Sequence, residues 1–251
     1  MFFYKNLGFS FIQNFFQSGK GLSKFLRDIK TTNNLVFYSE GGQYTNFVEP
    51  LIRELGNFED INIFYLSSEH HDSLLEKTLK GVRSYFIGKG IFMIFALNYI
   101  HADGIVMTTP DLNKFHIKKS PHCKKYIYFH HSMVSTHMVY RECAFDHFDA
   151  MLCVGPYQKK EVRKWENLRN LKNKELLEHG YAPLDMLRKT GKNIGMLPRN
   201  KDGKLNILFA ASWGKNGILE TCAPEIIESL LKAGHSVTVR PHPRSLELSK
   251  K

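Results

Sequence analysis

The chain is poor in acidic residues, in cysteine and in long apolar runs, and each shortage narrows what it can be. Asp and Glu number 24 against 35 Lys and Arg, giving a formal charge of +11. That balance points to an anionic partner: a nucleotide, a phosphorylated polymer, an anionic membrane or a nucleic acid. The basic residues are spread over 24–30, 118–125, 159–174 and 188–204. No finger, RNP or repeat signature accompanies them, so a nucleic-acid partner is not expected. Cys123, Cys143, Cys153 and Cys222 form no C-x-x-C pair. A chain of 251 residues that is 43% apolar needs no disulfide staples, and a reducing cytoplasm is the simpler setting. The apolar run IFMIFALNYI ends at Ile100, too short for a membrane span and suited to a buried helix. The opening residues are broken by Asn6, Ser10, Gln13 and Asn14 and lack a small-residue cleavage site, which excludes a convincing signal peptide. Internal repeats and low-complexity tracts are absent. So are H-x-x-x-H and H-E-x-x-H arrangements, and His122 beside Cys123 has no second Cys pair, so no metal site is expected.

From Leu35 onward, apolar runs (LVFYS, INIFYLS, RSYFIG, GIVMTT, YIYF, AMLCVG) alternate with helical patterns at 46–55, 70–80, 90–101, 136–144 and 157–167. Strands separated by helices imply βαβ units and an α/β fold with a parallel sheet. Residues 191–204 are rich in Gly, Pro, Asn and Lys, as a linker would be. A second α/β series then opens with LNILFAAS and reaches SVTVRPHP. The organisation expected is a Phe-rich basic segment at 1–34, a Rossmann-like lobe at 35–190, a linker at 191–204 and a second lobe at 205–251. That second lobe is expected to be incomplete, as in a shortened polypeptide, because two strands and one helix do not cover both faces of a parallel sheet. The first segment, with Phe residues beside Lys5, Lys20, Lys24, Arg27 and Lys30, suits an interfacial helix on an anionic bilayer or a helix packed on the first lobe.

Ligands in open α/β sheets bind at the carboxyl ends of the strands. Four groups of residues fall there. Glu40, Gly41 and Gly42 follow the first strand, where a Gly-rich turn brings backbone N–H groups near an anion or an acceptor, or simply turns the chain into its helix. The turn lacks both the G-x-G-x-x-G fingerprint and a Walker lysine. His130 and His131, followed by Ser132, end the fifth strand, and either imidazole has the pKa to act as a general base. Adjacent strand residues point to opposite faces, so one of the two is expected in the cleft. Ser212 and Trp213 follow the first strand of the second lobe. Arg240, His242 and Arg244 form a cationic cluster in VRPHPR, with Pro241 and Pro243 holding the backbone extended.

Taken in order, LVFYSEGGQY, FHHSMVSTHMVYRE, FDHFDAMLCVGP, EHGYAPLD, ILFAASWG and VRPHP resemble the CDP-glycerol glycerophosphotransferase family of teichoic-acid and capsule synthesis. The resemblance implies a GT-B-like pair of Rossmann-like lobes and transfer of glycerol phosphate, or a related polyol phosphate, from a CDP-linked donor. The acceptor would be a hydroxyl of a lipid-linked or polymeric molecule, and CMP would be released without a metal or other cofactor. It also implies peripheral attachment at the inner face of the cell membrane. By position, His131 corresponds to the family's catalytic base and His242 to its donor-phosphate histidine. His130 stands where the family has tryptophan and Ser132 where it has glycine, which leaves His130 and His131 both open as the base. A later Ser/Thr and Asp-rich donor loop of the family would lie beyond Lys251. The rival readings are a GT-B glycosyltransferase using a nucleotide sugar and a non-catalytic protein that docks on a membrane or partner.

Overall fold

A computed structural model of the chain describes residues 2–29, 32–194 and 203–248. It falls into two compact units, Met1–Lys189 and Thr190–Lys251. In the first, the elements run α1 (Phe2–Asp28), β1 (Asn34–Ser39), α2 (Thr45–Leu55), β2 (Asn62–Ser67), α3 (Ser73–Glu76), β3 (Val82–Phe86), α4 (Ile91–Asn98), β4 (Ala102–Met107), β5 (Cys123–Phe129), α5 (Thr136–Val139), β6 (Ala150–Cys153), α6 (Pro156–Leu168), β7 (Glu175–Glu178) and α7 (Ala182–Ile194), which crosses the division between units. In the second they run β8 (Asn206–Ala210), α8 (Ile218–Thr221), α9 (Ala223–Lys232), β9 (Ser236–Arg240) and α10 (Pro243–Leu248).

The first unit is an α/β layer structure around a seven-stranded sheet ordered β3-β2-β1-β4-β5-β6-β7, and every pairing is parallel. Its central strands are buried on both faces, hence the nearly unbroken apolar runs. The side-chain alternation of β1 sends Val36 and Tyr38 into one core with Phe25, Phe64 and Ile105, and Phe37 into another with Val48, Ile52 and Tyr65. Strand β5 divides in the same way, with Tyr126 and Tyr128 on the first face and Phe129 on the second. The chain leaves β1 towards β2 and β3 and then crosses back to β4 on the other side of β1. The topological switch point therefore lies between the carboxyl ends of β1 and β4.

Two expected helices are shorter than their patterns. The 70–80 pattern yields only α3, which the buried Asp72 caps by accepting from the Leu74 N–H at 3.0 Å; Lys77 is already extended, and that stretch brings Leu79 into the core without a helix. The 136–144 pattern ends at Val139, because Met138 and Val139 are exposed and Cys143 takes a left-handed turn conformation at φ 65°. The linker expected at 191–204 is entered by α7 as far as Ile194, and 195–202 lies outside the described residues.

Helix α1 divides along its length. Leu22 and Phe25, with Ile29 just beyond it, are buried against the sheet, and Gly21 sits so close to the Phe86 carbonyl that a Cβ would overlap it. Towards its start, Ile12, Phe15 and Phe16 are exposed, and Phe15 touches Phe92 of α4 at a ring distance of 4.8 Å. Helix α4, expected to be buried, inserts Ala96 and Leu97 but leaves Ile91 and Phe95 exposed, as is Tyr99 just after it. No described helix is long and apolar enough to cross a membrane. The second unit pairs β8 and β9 in parallel, in register from Asn206 against Ser236 to Ala210 against Arg240.

Candidate functional site

At the switch point, Glu40 leaves β1 and its Oε1 accepts a 2.9 Å hydrogen bond from the Thr109 hydroxyl, two residues past β4. This bond ties the two strand exits across the crevice. In the Gly-rich turn beside it, expected to face an anion or an acceptor or simply to turn the chain, the two glycine amides have partners within the protein. The Gly42 N–H donates to Glu69 Oε2 at 2.8 Å and the Gly41 N–H to Ser39 Oγ at 3.3 Å. Both amides are already committed, and the turn presents carboxylates, which suits a hydroxyl better than a phosphate.

The turn is braced from β2. Asp72, fully buried, accepts from Tyr65 at 2.6 Å, Ser67 at 2.7 Å and Thr45 at 3.1 Å, joining β2 to the start of α2.

The histidine pair continues the alternation of β5, and its two rings enter different surroundings. His130 follows the Tyr128 face and is fully buried, with its ring 4.8 Å from Tyr128, 5.5 Å from Phe145 and 6.2 Å from Tyr140. Neither ring nitrogen has a hydrogen-bond partner. Burial, then the neighbouring His131 and His179, press its pKa from 6.5 to about 3, so the ring is neutral. His130 is thus enclosed by aromatic rings.

His131 follows the other face and is only half-buried. Its ring packs edge-on to Tyr44 at 4.8 Å and lies 6.0 Å from Phe47, with Tyr181 next along at 5.7 Å from Phe47. Burial lowers its pKa below the ordinary value, and the Glu40 carboxylate and the Phe129 carbonyl draw it part of the way back. The fall of the His131 pKa keeps the ring neutral and able to accept a proton. Its Nδ1 is buried without a hydrogen-bond partner.

The loop after the pair is held from α6. Gln158, fully buried, donates to the Ser132 and Val134 carbonyls at 3.1 and 3.2 Å, and Glu161 accepts from the Thr136 N–H and hydroxyl at 2.7 and 2.8 Å. Ser132 therefore enters through its carbonyl, which Gln158 holds. His179 Nε2 lies 3.1 Å from the His130 carbonyl and its ring 4.4 Å from Phe129.

Thr109, Tyr44, Glu69, Asp72, Gln158, Glu161, His179 and Tyr181 were not singled out from the sequence. Thr109 follows a legible strand, and His179 and Tyr181 lie in EHGYAPLD, but nothing local marks the others.

In the second unit, Trp213 leaves β8 and His242 leaves β9, and their rings lie 6.2 Å apart. The Arg244 guanidinium stacks over Trp213 at 4.6 Å, and the Arg244 N–H donates to His242 Nδ1 at 3.1 Å. Trp213, His242 and Arg244 are brought together; Arg240 ends β9, and Ser212 is exposed next to Trp213. The extended exit expected from the two prolines is cut short, because Pro243 opens α10, a position where its missing N–H costs nothing.

Among the described residues no group of three or more His, Cys, Asp or Glu is placed to hold a metal ion. No family model and no curated protein matches the sequence. Among solved structures, a variant of the wall teichoic acid polymerase TagF is similar, with a TM-score of 0.46 and 14% identity over 96% of this chain and 65% of that one. The chain thus spans less than two thirds of the length of that structure.

Proposed function

We propose that the chain is a distant relative of the CDP-glycerol glycerophosphotransferases, acting on a CDP-linked polyol phosphate and a hydroxyl acceptor with His131 as general base. The observation that carries this reading is the neutral, half-buried His131 at the carboxyl edge of a parallel sheet, within the field of Glu40. With Nδ1 buried, Nε2 is the nitrogen that takes the acceptor's proton. The alkoxide oxygen attacks the phosphorus that bears the polyol, the bond from that phosphorus to the CMP oxygen breaks, and CMP leaves with the electron pair. Glu40, tied to Thr109, orients the acceptor hydroxyl and stabilises the imidazolium that forms. In the second unit, Arg240, His242 and Arg244 take the donor's diphosphate and the negative charge growing on CMP, with Trp213 beneath the Arg244 plane.

No cofactor is required by this chemistry; the CDP-linked donor is a substrate. The lobes are read as a GT-B-like pair, the acceptor as lipid-linked or polymeric, and the location as the cytoplasmic face of a membrane. Support for the location comes from the net charge and from the exposed Ile12, Phe15 and Phe16 of α1, whose Phe15 meets Phe92 of α4, together with the exposed Ile91 and Phe95 of α4 and Tyr99 just after it.

The test is calorimetric titration of CDP-glycerol into the chain, with CMP release followed on addition of a polyol-phosphate acceptor. Donor binding with CMP release and a new phosphodiester supports the reading. A glycosidic product and a released nucleoside diphosphate would assign a nucleotide-sugar transferase instead. Folded protein that neither binds nor turns over any CDP-polyol would replace it with the non-catalytic docking role.

A further inference from the structure

The first unit contains a cavity lined by none of Glu40, Gly41, Gly42 or His131. It lies between the turn after α5 and helix α6, has a volume of about 130 Å³, and its walls include Tyr140, Cys143, Phe145, Val162, Trp165 and Leu171.

Its chemistry runs against the net charge of the chain. Each Lys and Arg on its wall already has a carboxylate: Arg169 is paired with Asp146, Arg141 with Asp111 at 2.8 Å and Lys174 with Glu166 at 3.8 Å; the His137 ring lies 3.7 Å from Glu161. No uncompensated positive charge is left to hold a phosphate. Three of the uncharged polar groups have partners too. The Thr136 hydroxyl donates to Glu161 at 2.8 Å, the Tyr140 hydroxyl accepts from Tyr128 at 3.3 Å, and Cys143 Sγ accepts from Arg169 at 2.7 Å. The surface it presents is mainly apolar, and an apolar cavity of about 150 Å³ takes up benzene.

We propose that this cavity is a binding site for one uncharged apolar group the size of a single six-membered ring or a short branched alkyl chain. Its place gives it a route to the rest of the unit. Tyr140 and Phe145 line the cavity and also wall in His130, one residue before His131. A ring seated there braces the aromatic box from which the His131 loop departs. The inference does not depend on the phosphotransferase reading.

Trp165 provides the readout, because the chain has only one other indole, Trp213, in the second unit. With W213F removing that signal, benzene, toluene and benzyl alcohol are titrated while Trp165 fluorescence is followed, and binding to the unaltered chain is measured independently by ligand-observed NMR. The expected result is a saturable change with each ring probe and none with inorganic phosphate or CMP. Two substitutions fill the space from opposite walls, Ala144→Leu and Val162→Phe, and each should weaken binding by about tenfold or more. Absence of saturable NMR binding by the unaltered chain overturns the proposal even if both variants misfold. Ring binding that leaves Trp165 unmoved or survives both folded variants overturns it as well. So does a Trp165 response to phosphate or CMP alone, which would make the site anionic.

Discussion

His130 and His131 are adjacent in the chain and chemically unlike, because alternation on β5 sends one ring into an aromatic box and the other to the half-buried edge beside Tyr44. In the proposed role of general base, His131 would contribute to turnover and little to donor binding. His131→Gln should therefore cut turnover by about 10²- to 10⁴-fold while calorimetry finds donor affinity unchanged. Near-full activity in this variant would remove the assignment. Since burial lowers the His131 pKa, the neutral base persists into mild acid, and the acid limb of turnover should fall below the ordinary histidine value of 6.5. His130 carries a separate signature in stability. Its folded pKa of about 3 lies below the ordinary 6.5, so the unfolded chain takes up a proton that the folded chain refuses. Stability is full above the ordinary value and is lost as pH falls towards about 3, by up to about 1.4 kcal/mol per pH unit. Urea midpoints between pH 7 and pH 4 should fall less steeply in His130→Phe, with His131, His179 and the depressed carboxylates, Glu49 and Glu161 among them, supplying the remaining slope.

At the scale of elements, two contacts decide whether the sheet edge keeps its shape. Helix α1 approaches β3 where Gly21 meets the Phe86 carbonyl, and backbone cannot move aside as a side chain can. Gly21→Ala should cost about 1–3 kcal/mol by lifting the helix, measurable as a lower urea midpoint. Equal stability would mean that α1 does not sit so closely. Asp72 accepts from three hydroxyls and one N–H in a fully buried position, so Asp72→Ala leaves several buried donors unpaired. A loss of about 3 kcal/mol is expected, together with faster amide exchange in residues 39–45, whereas an effect under about 1 kcal/mol would show that water replaces the carboxylate. Strands β1 to β6 were legible because each is an apolar run bounded by polar residues. Strand β7 was not, since ELLE is a four-residue edge strand flanked by glutamates, and it forms because β6 offers it a ladder. Helix α3 was over-read for the converse reason: three leucines gave a helical rhythm that one capped turn and an extended stretch satisfy.

For the whole molecule, the relevant quantities are net charge and exposed apolar surface. A charge of +11, with exposed Phe15 and Phe16 on α1, Phe95 on α4 and Tyr99 just after it, predicts co-sedimentation with anionic vesicles and little with zwitterionic ones. Binding should weaken as salt rises, and Phe16→Ser combined with Phe95→Ser should reduce it further without altering the core. Equal sedimentation with both vesicle types would remove the electrostatic half of this reading. The sequence by itself determined the alternation of strands and helices, the parallel sheet it implies and the placing of histidines at strand ends, because these follow from local periodicity and from the length of each apolar run. Only the tertiary structure decided which histidine faces outward, that the Gly42 amide belongs to Glu69, and that Glu40 meets Thr109 across the switch point. Those outcomes depend on strand order and register, which join residues as far apart as 40 and 109 through hydrogen bonds that no local pattern encodes.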